Sequence, residues 1–214
     1  VREGDASLDI ITTVEEHDRL TAEGFRTEIV HEDIVEFYQA RIGKRDMGGY
    51  KTLAEIEGYV DGIINLYGNI VSSKVVIGYT LQGRPMHAIK ISDNPAVDET
   101  GEPEVLITSA IHAREVITPE TVLRIMDYLT QNYGIDPEVT ALVDSREIWF
   151  VPVVNPDGYY HNQVIAPTGG GMWRKNRRNN GDGSFGVDLN RNYGYLWGLD
   201  NIGSSPNPSD NTYR

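Results

Sequence analysis

The stretch that decides the fold is VLITSAIHARE, residues 105–115. Its first part, residues 105–111, is almost continuously apolar, which predicts a β-strand buried on both faces of a sheet. His112 and Glu115 follow this strand and precede a predicted helix. Zinc binds imidazole nitrogen and carboxylate oxygen, and a catalytic zinc site uses three protein ligands plus water, so this pair can supply two of the three. The same spacing also arises by chance, and a surface ion pair is the alternative interpretation.

The composition limits the classes of function. The chain has 214 residues, enough for one large domain or for a small domain beside a larger one. It has no cysteine, so disulfides and thiolate ligands are excluded and any zinc ion has to be held by His, Asp or Glu. The net charge of -13 argues against a nucleic acid partner, because phosphate binding needs a basic surface. No apolar run approaches the about 20 residues of a membrane span, so we expect no membrane partner.

Residues 1–46 predict a small unit of their own. Its elements alternate between strand and helix: a strand over residues 8–12, a helix opened by the capping box of Thr13 and Glu16 and ending near Gly24, a strand over residues 25–30, and an acidic helix over residues 33–41. Residues 41–49 have the composition of a linker that a trypsin-like protease can cut, with an ordinary surface loop as the alternative. We therefore divide the chain into residues 1–46 and 47–214.

The second part predicts strands that alternate with helices. The predicted elements are a helix from the capping box of Thr52 and Glu55 to Gly68, a hairpin of strands over residues 74–79 and 86–92, a helix with Thr118 as N-cap and Pro119 as first residue that ends at Gly134, and a buried strand over residues 147–154. This pattern predicts an α/β fold with a mixed or largely parallel central sheet flanked by helices. Ligands of such sheets bind beyond the carboxyl ends of the strands, where His112 and Glu115 are placed.

Two further motifs follow the second buried strand. NPDG, residues 155–158, predicts a tight turn. The basic run 173–178 is followed closely by DLNRN, residues 188–192, so several guanidinium groups come near the candidate metal ligands. Arginine binds carboxylates through two parallel hydrogen bonds, which favours a substrate that carries a carboxylate. Phosphate fits the same groups, but the chain has no glycine-rich phosphate loop, and a solvated charge run is the alternative interpretation.

Four motifs together resemble one family. HARE (112–115), NPDG (155–158), WRK (173–175) and DLNRN (188–192) fall in the order and approximate spacing of the zinc metallocarboxypeptidases of the carboxypeptidase A/B and T type. The resemblance extends from about residue 50 to residue 214. The first segment is similar to the end of the propeptide that precedes such enzymes.

The resemblance implies a function and roles for particular residues. The implied activity is zinc-dependent hydrolysis of the C-terminal bond of a peptide or protein with a free C-terminus, in a secreted or extracytoplasmic enzyme. The implied roles are zinc ligation by His112 and Glu115, orientation of the His112 imidazole by Asp188, stabilisation of the oxyanion by Arg174, binding of the terminal carboxylate by Asn190 and Arg191, and an outer substrate subsite at Arg114.

The chain departs from the family pattern at its end. In the family, the third zinc ligand is a later histidine and the general base is a still later glutamate, and residue 214 precedes both. The other histidines here are His17, His31, His87 and His161. His161 is nearest to the motifs, but it stands where the family has no ligand, so a structural role is predicted. We expect the 214 residues to be an inactive portion truncated on the C-terminal side, with an unpaired strand edge and bare apolar surface that need the missing part or a partner chain.

Two other functions remain open at this level. A related zinc deacylase of N-acyl amino acids shares the His-x-x-Glu pair and the Asn-Arg carboxylate clamp, although the NPDG and WRK motifs favour the carboxypeptidase. A non-catalytic module that keeps only the clamp would bind free C-terminal carboxylates and gain nothing from zinc.

Overall fold

The computed structural model describes residues 12–29, 46–200 and 202–214. By its contacts the chain divides into two units, Val1–Gly43 and Lys44–Arg214. Several predictions lie outside the described residues: the strand over residues 8–11, the helix over residues 33–41, the first part of the linker at residues 41–45, and any role of His31. No helix within the described ranges has the length and apolar character needed to cross a membrane.

The first unit contains one described helix, α1, Val14–Ala22. Its predicted capping box is confirmed, because the Thr13 side chain accepts from Glu16 N and the Glu16 side chain accepts from Thr13 N. The strand predicted over residues 25–30 is wrong for residues 25–29, which form no strand. Phe25 and Ile29 are exposed, so the two apolar side chains of this segment do not gain the burial that favours a strand.

The second unit is built on one mixed sheet of four strands in the order β1-β2-β4-β3. The strands are β1 Val75–Tyr79, β2 Pro85–Ile91, β3 Glu104–Thr108 and β4 Glu147–Val151. The β1–β2 and β2–β4 pairs are antiparallel, and the β3–β4 pair is parallel. The helices are α2 Leu53–Tyr67, α3 Ile117–Asn132, α4 Pro137–Val143 and α5 Pro156–Ile165. The predicted α/β class with a mixed sheet is therefore confirmed.

The core lies between the sheet and its helices. Phe150 of β4 is fully buried and belongs to one apolar cluster with Ile56 of α2 and Met126 of α3. The prediction of a buried strand around β4 is confirmed, since four of its five residues are buried. β4 is central because it pairs with β2 on one side and with β3 on the other.

β3 does not have the predicted environment. Val105 and Leu106 are 39% and 66% exposed, so the prediction of a strand buried on both faces is wrong. The physical reason is the position of β3 at the edge of the sheet, where no described strand pairs with its outer side. A continuous apolar run therefore correctly predicted a strand but not how much of it the described residues cover.

Helix α2 begins as its sequence predicts. The Thr52 side chain accepts from Glu55 N, the Glu55 side chain accepts from Thr52 N, and Ile56, Val60 and Ile63 face the core. We expect Thr52→Ala to lower the free energy of unfolding by about 1 kcal/mol, because one N-terminal amide loses its acceptor. Urea denaturation followed by circular dichroism measures this change, and Thr12→Ala in the first unit is the control expected to have little effect. An unchanged midpoint for Thr52→Ala would contradict the role of the cap.

One predicted helix boundary was wrong, and one predicted turn is the beginning of a helix. Helix α3 begins at Ile117, and Thr118 is not its N-cap. The Thr118 hydroxyl instead donates to Glu115 O (2.8 Å) and accepts from Ala110 N (3.0 Å), so it binds the chain around His112. NPDG is not an isolated turn, because Asn155 is the N-cap of α5 and Pro156 is its first residue.

A buried ion pair fastens β2 to β4. The Lys90 ammonium donates to the Glu147 carboxylate, and both residues are only 2% exposed. Glu147 also accepts from Glu99 N at 3.0 Å. The hydrogen bond from Lys90 holds the pKa of Glu147 below its usual value.

Candidate active site

The loop after β3 carries the candidate metal ligands. Ser109 N donates to Val151 O (3.1 Å), and Ala110 O accepts from Asn155 N (3.2 Å), so the loop is bound to the carboxyl end of β4. Ala110 has a φ of 48°, in the left-handed region that only glycine adopts without cost. This sharp change of direction lies two residues before His112.

His112 and Glu115 lie side by side. His112 is buried, and its Nδ1 is 2.8 Å from Glu115 Oε1, while the Glu115 side chain is 44% exposed. The separation corresponds to an ion pair, and the two facing atoms are also the donor types that zinc takes. The other imidazole nitrogen, Nε2, lies 3.2 Å from Asp188 Oδ1.

Asp188 joins three parts of the site. It is fully buried, and its Oδ2 accepts from Arg174 Nε (3.1 Å) and Nη2 (2.9 Å). Its Oδ1 accepts from Asn190 N (2.9 Å), so Asp188 is the N-cap of the 3₁₀ turn Leu189–Arg191. Arg174 Nη1 is 3.9 Å from Glu115 Oε1. The structure thus brings together four residues that the sequence had placed in one site.

The segment that contains Arg174 is held against the loop that contains His112 by one backbone amide and one side-chain amide. Ala113 N donates to Arg174 O (3.0 Å), and Asn155 Nδ2 donates to Ile111 O (3.2 Å) and Lys175 O (3.1 Å). At Gly158, an added Cβ would lie 2.6 Å from Lys175 O, so only glycine permits this approach.

Asp157 has a role that the sequence did not reveal. It is buried, and its carboxylate accepts from Thr80 Oγ1 (2.7 Å), Gln82 N (3.1 Å) and Arg84 Nη1 (2.7 Å). These donors belong to the turn between β1 and β2, so Asp157 attaches the hairpin to the beginning of α5. The sequence shows only an aspartate between proline and glycine, and the burial of its carboxylate, which requires such partners, is known from the structure.

Part of the basic run packs on aromatic rings. The Arg177 guanidinium lies 4.4 Å from the Trp173 ring centroid and 4.9 Å from that of Phe185. His161 contacts Trp173 edge to face at 5.2 Å, and burial lowers the pKa of His161. Arg177 is therefore neither a free surface charge nor a member of the cluster around Asp188. The contact of His161 agrees with a structural role.

Asn190 and Arg191 are placed beside a different cavity. This cavity has a volume of about 350 Å³ and is lined by Asn190, Arg191 and residues 193, 195–200 and 202–204, among which are two tyrosines and one tryptophan. The Arg191 guanidinium donates through Nε to Gly203 O (2.5 Å) and through Nη1 to Asn190 O (2.9 Å). Arg114 is half-buried and forms no hydrogen bond or ion pair with another described residue.

The donors fit zinc in kind, and they number two. Imidazole nitrogen and carboxylate oxygen converge at His112 and Glu115. His87 pairs with Glu57 (3.0 Å) and His161 packs on Trp173. Within the described ranges, groups of three or more metal-binding side chains occur only as two acidic clusters, one of Asp93, Glu99 and Glu102 and one of Asp98, Glu104 and Glu147, and neither includes His112. The fold and site thus define an α/β domain that brings two candidate zinc ligands beside a mostly buried guanidinium.

Comparison with known proteins places this domain in a family. The zinc carboxypeptidase family matches residues 56–214. A zinc carboxypeptidase of Saccharothrix mutabilis subsp. capreolus is 43% identical over 168 residues, and mouse carboxypeptidase A2 is 36% identical over 172 residues. These alignments cover 77% and 79% of this chain and 38% of each relative. The chain belongs to the zinc carboxypeptidase family, and the resemblance found in the sequence is confirmed.

A solved structure shares the fold. Bovine thrombin-activatable fibrinolysis inhibitor, in complex with a tick carboxypeptidase inhibitor, matches with a TM-score of 0.63 at 29% identity. The match covers 77% of this chain and 49% of that one. The chain therefore spans about two fifths to one half of the length of the proteins it matches.

Proposed function

We propose that the whole protein hydrolyses the C-terminal peptide bond of peptides or proteins with a free C-terminus, with zinc as cofactor. The convergence of His112, Glu115 and Arg174 around the buried carboxylate of Asp188 supports this proposal most strongly. When bound, zinc polarises a carbonyl and makes water a nucleophile at neutral pH. His112 and Glu115 would be two of its ligands.

Asp188 would orient both groups that face the substrate. With the imidazole proton on Nε2, which lies 3.2 Å from Asp188 Oδ1, the Nδ1 lone pair of His112 would be free for a metal. The same carboxylate holds Nε and Nη2 of Arg174, so Nη1 is left to donate toward the carbonyl oxygen on which negative charge develops. A donor fixed in advance in a partly buried site stabilises such charge without reorganisation.

Substrate binding would use the remaining cationic groups. Asn190 and Arg191 would bind the terminal carboxylate through the amide N–H groups and the guanidinium on the rim of their cavity. Arg114 would contact the peptide further from its end, since its guanidinium has no partner among the described residues. Recognition of a carboxylate explains why such an enzyme would act at chain ends.

Zinc binding tests the metal site. We expect one zinc ion per chain in a calorimetric titration, with an affinity that falls at least about tenfold in His112→Ala, because one of two donors is lost. His161→Ala is the matched control, since this histidine packs on Trp173, and we expect its zinc affinity to stay unchanged. Equal affinity of the His112→Ala and native chains would overturn the assignment.

Substrate comparison separates the candidate functions. The carboxypeptidase predicts that the whole protein releases the last residue of a peptide and spares the same peptide with a C-terminal amide. Preferential cleavage of an N-acyl amino acid would instead support the deacylase. Peptide binding that requires a free carboxylate but neither zinc nor turnover would support the non-catalytic module.

Residues 1–46 would be the end of a propeptide, and the protein would be secreted or extracytoplasmic. The support is the resemblance of this segment to the family's propeptides and the basic linker composition of residues 41–49. N-terminal sequencing of the protein recovered from culture medium would check both points together. A protein that stays in the cytoplasm with residues 1–46 attached would contradict them.

A further inference from the structure

Lys175 is a buried lysine that the proposed function does not use. It is 5% exposed, and its Nζ donates to Pro208 O at 2.5 Å. The same ammonium lies 5.7 Å from the ring centroid of Tyr213 and 5.9 Å from that of Trp173. Lys175 forms no ion pair with a described residue, and burial lowers its pKa. An ammonium in this environment needs its hydrogen-bond acceptor.

Two of the groups around this ammonium, Pro208 O and the Tyr213 ring, belong to the 203–214 loop, residues 203–214. The loop is folded back on itself, since Ser205 N donates to Thr212 O (3.0 Å) and Arg214 N donates to Ser205 O (3.1 Å). Pro208 lies within the loop and Tyr213 on its returning side. Lys175 therefore contacts both halves of the loop at once.

The 203–214 loop is bonded to the site at two points. Asp188 N donates to Tyr213 O at 2.8 Å, and Arg191 Nε donates to Gly203 O at 2.5 Å. One bond fixes the backbone of the residue that faces His112 and Arg174. The other fixes the guanidinium of Arg191, which together with Asn190 would bind the terminal carboxylate of the substrate. The position of this loop thus sets the position of both ends of the site.

We propose that Lys175 is a positioning residue, which fixes the 203–214 loop and through it the Asp188 backbone and the Arg191 guanidinium. Lys175 itself is turned away from substrate, because its ammonium is enclosed by the loop and two rings. The inference about the two bonds stands on the structure alone. Its consequence for carboxylate binding rests on the proposed function.

Hydrogen exchange tests the positioning role directly. In Lys175→Met we expect the Asp188 amide and the Arg191 Nε–H to exchange at least about tenfold faster in NMR spectra, because the loop that supplies their acceptors opens more often. Lys175→Arg, which keeps a cationic donor, should restore most of the protection. If Lys175→Met does not fold, Lys175→Gln, which keeps a shorter donor, gives the same test.

A matched lysine separates this role from general loss of stability. Lys74 also donates to a backbone carbonyl, Glu57 O at 2.9 Å, but it lies beside α2 and, unlike Lys175, forms ion pairs with Glu57 and Asp61 (both 2.8 Å), so its removal should cost stability at a distance from the loop. Lys74→Met should lower overall stability without selectively exposing the Asp188 and Arg191 protons. Equal acceleration in the Lys74→Met and Lys175→Met chains, measured against their free energies of unfolding, would overturn the positioning role.

Peptide binding separates this inference from the proposed function. We expect Lys175→Met to weaken a peptide with a free C-terminus about tenfold while leaving the weaker binding of its C-terminal amide unchanged. Suppose that amide exchange is faster in Lys175→Met but the native chain does not prefer the free C-terminus over its amide. This result would uphold the positioning role and contradict carboxylate binding by Asn190 and Arg191. Unchanged exchange with normal carboxylate preference would contradict the positioning role alone.

Discussion

Glu147→Ala is expected to lower the free energy of unfolding by about 3–5 kcal/mol, because it leaves the Lys90 ammonium buried without a counter-ion. A domain of this size has only about 5–15 kcal/mol of stability in total, so this loss is a large share of it. Urea denaturation followed by tryptophan fluorescence measures the change. The double variant Lys90→Met with Glu147→Leu is the control and should recover most of the loss, since it removes both charges.

The same pair predicts a pH dependence. The pKa of Glu147 is lowered in the folded chain by the hydrogen bond from Lys90, so folding favours the ionised carboxylate. The stabilisation is complete above the ordinary pKa of 4.5 and is lost as the pH falls through the lower folded value. The stability difference between native and Glu147→Gln chains should therefore shrink below pH 4.5. A difference that stays constant into acid would contradict the ionic pair.

Asp188→Ala should have the largest effect on the candidate active site. Its carboxylate faces Arg174, His112 and Asn190 N together, and removal leaves the mostly buried guanidinium with only its 3.9 Å contact to Glu115 Oε1. We expect a loss of about 3–5 kcal/mol in stability and about a 10–100-fold loss in zinc affinity. Calorimetric zinc titration and urea denaturation of the same preparations measure the two effects.

Asp188→Asn separates charge from geometry. The amide keeps an acceptor for Asn190 N and the size of the side chain, so stability should fall less than in Asp188→Ala. Zinc affinity should still fall, because a neutral acceptor polarises the imidazole less. Zinc affinity unchanged in both variants would show that Asp188 does not orient a metal ligand.

Local sequence patterns predicted most of the second unit. The Thr52 and Glu55 box, the β1–β2 hairpin and the apolar run of β4 each depend on neighbours in sequence, and the structure confirms all three. The strand-end rule placed His112 and Glu115 at the edge of the sheet, and the resemblance of four motifs to the zinc carboxypeptidases placed residues 188–191 in the same site. The structure brings His112 and Asp188 within 3.2 Å.

Errors arose where tertiary contacts decide. Thr118 stands before a proline as an N-cap residue does, but its hydroxyl accepts from Ala110 N instead of from an amide of the helix. The apolar run at β3 predicts a strand, while the neighbours that cover it depend on the order of strands. Helix α4 was missed, although Asp136 followed by Pro137 is a signal for a helix start.

The sequence was also silent on contacts between distant segments. Nothing near Asp157 in the sequence indicates its three donors around residues 80–84. The contacts of the Arg177 guanidinium with the Trp173 and Phe185 rings were likewise not indicated, because the charge pattern alone shows only a basic run. Such contacts follow from the complete fold and not from spacing.

The four residues of NPDG answer to four separate constraints. Asn155 bonds two distant carbonyls, Pro156 begins a helix, Asp157 collects donors from a hairpin, and Gly158 leaves room for Lys175 O. A change at any one position therefore has to be compensated in a different part of the chain. In a combinatorial library, this stretch should be kept constant while the surface turns around it are varied.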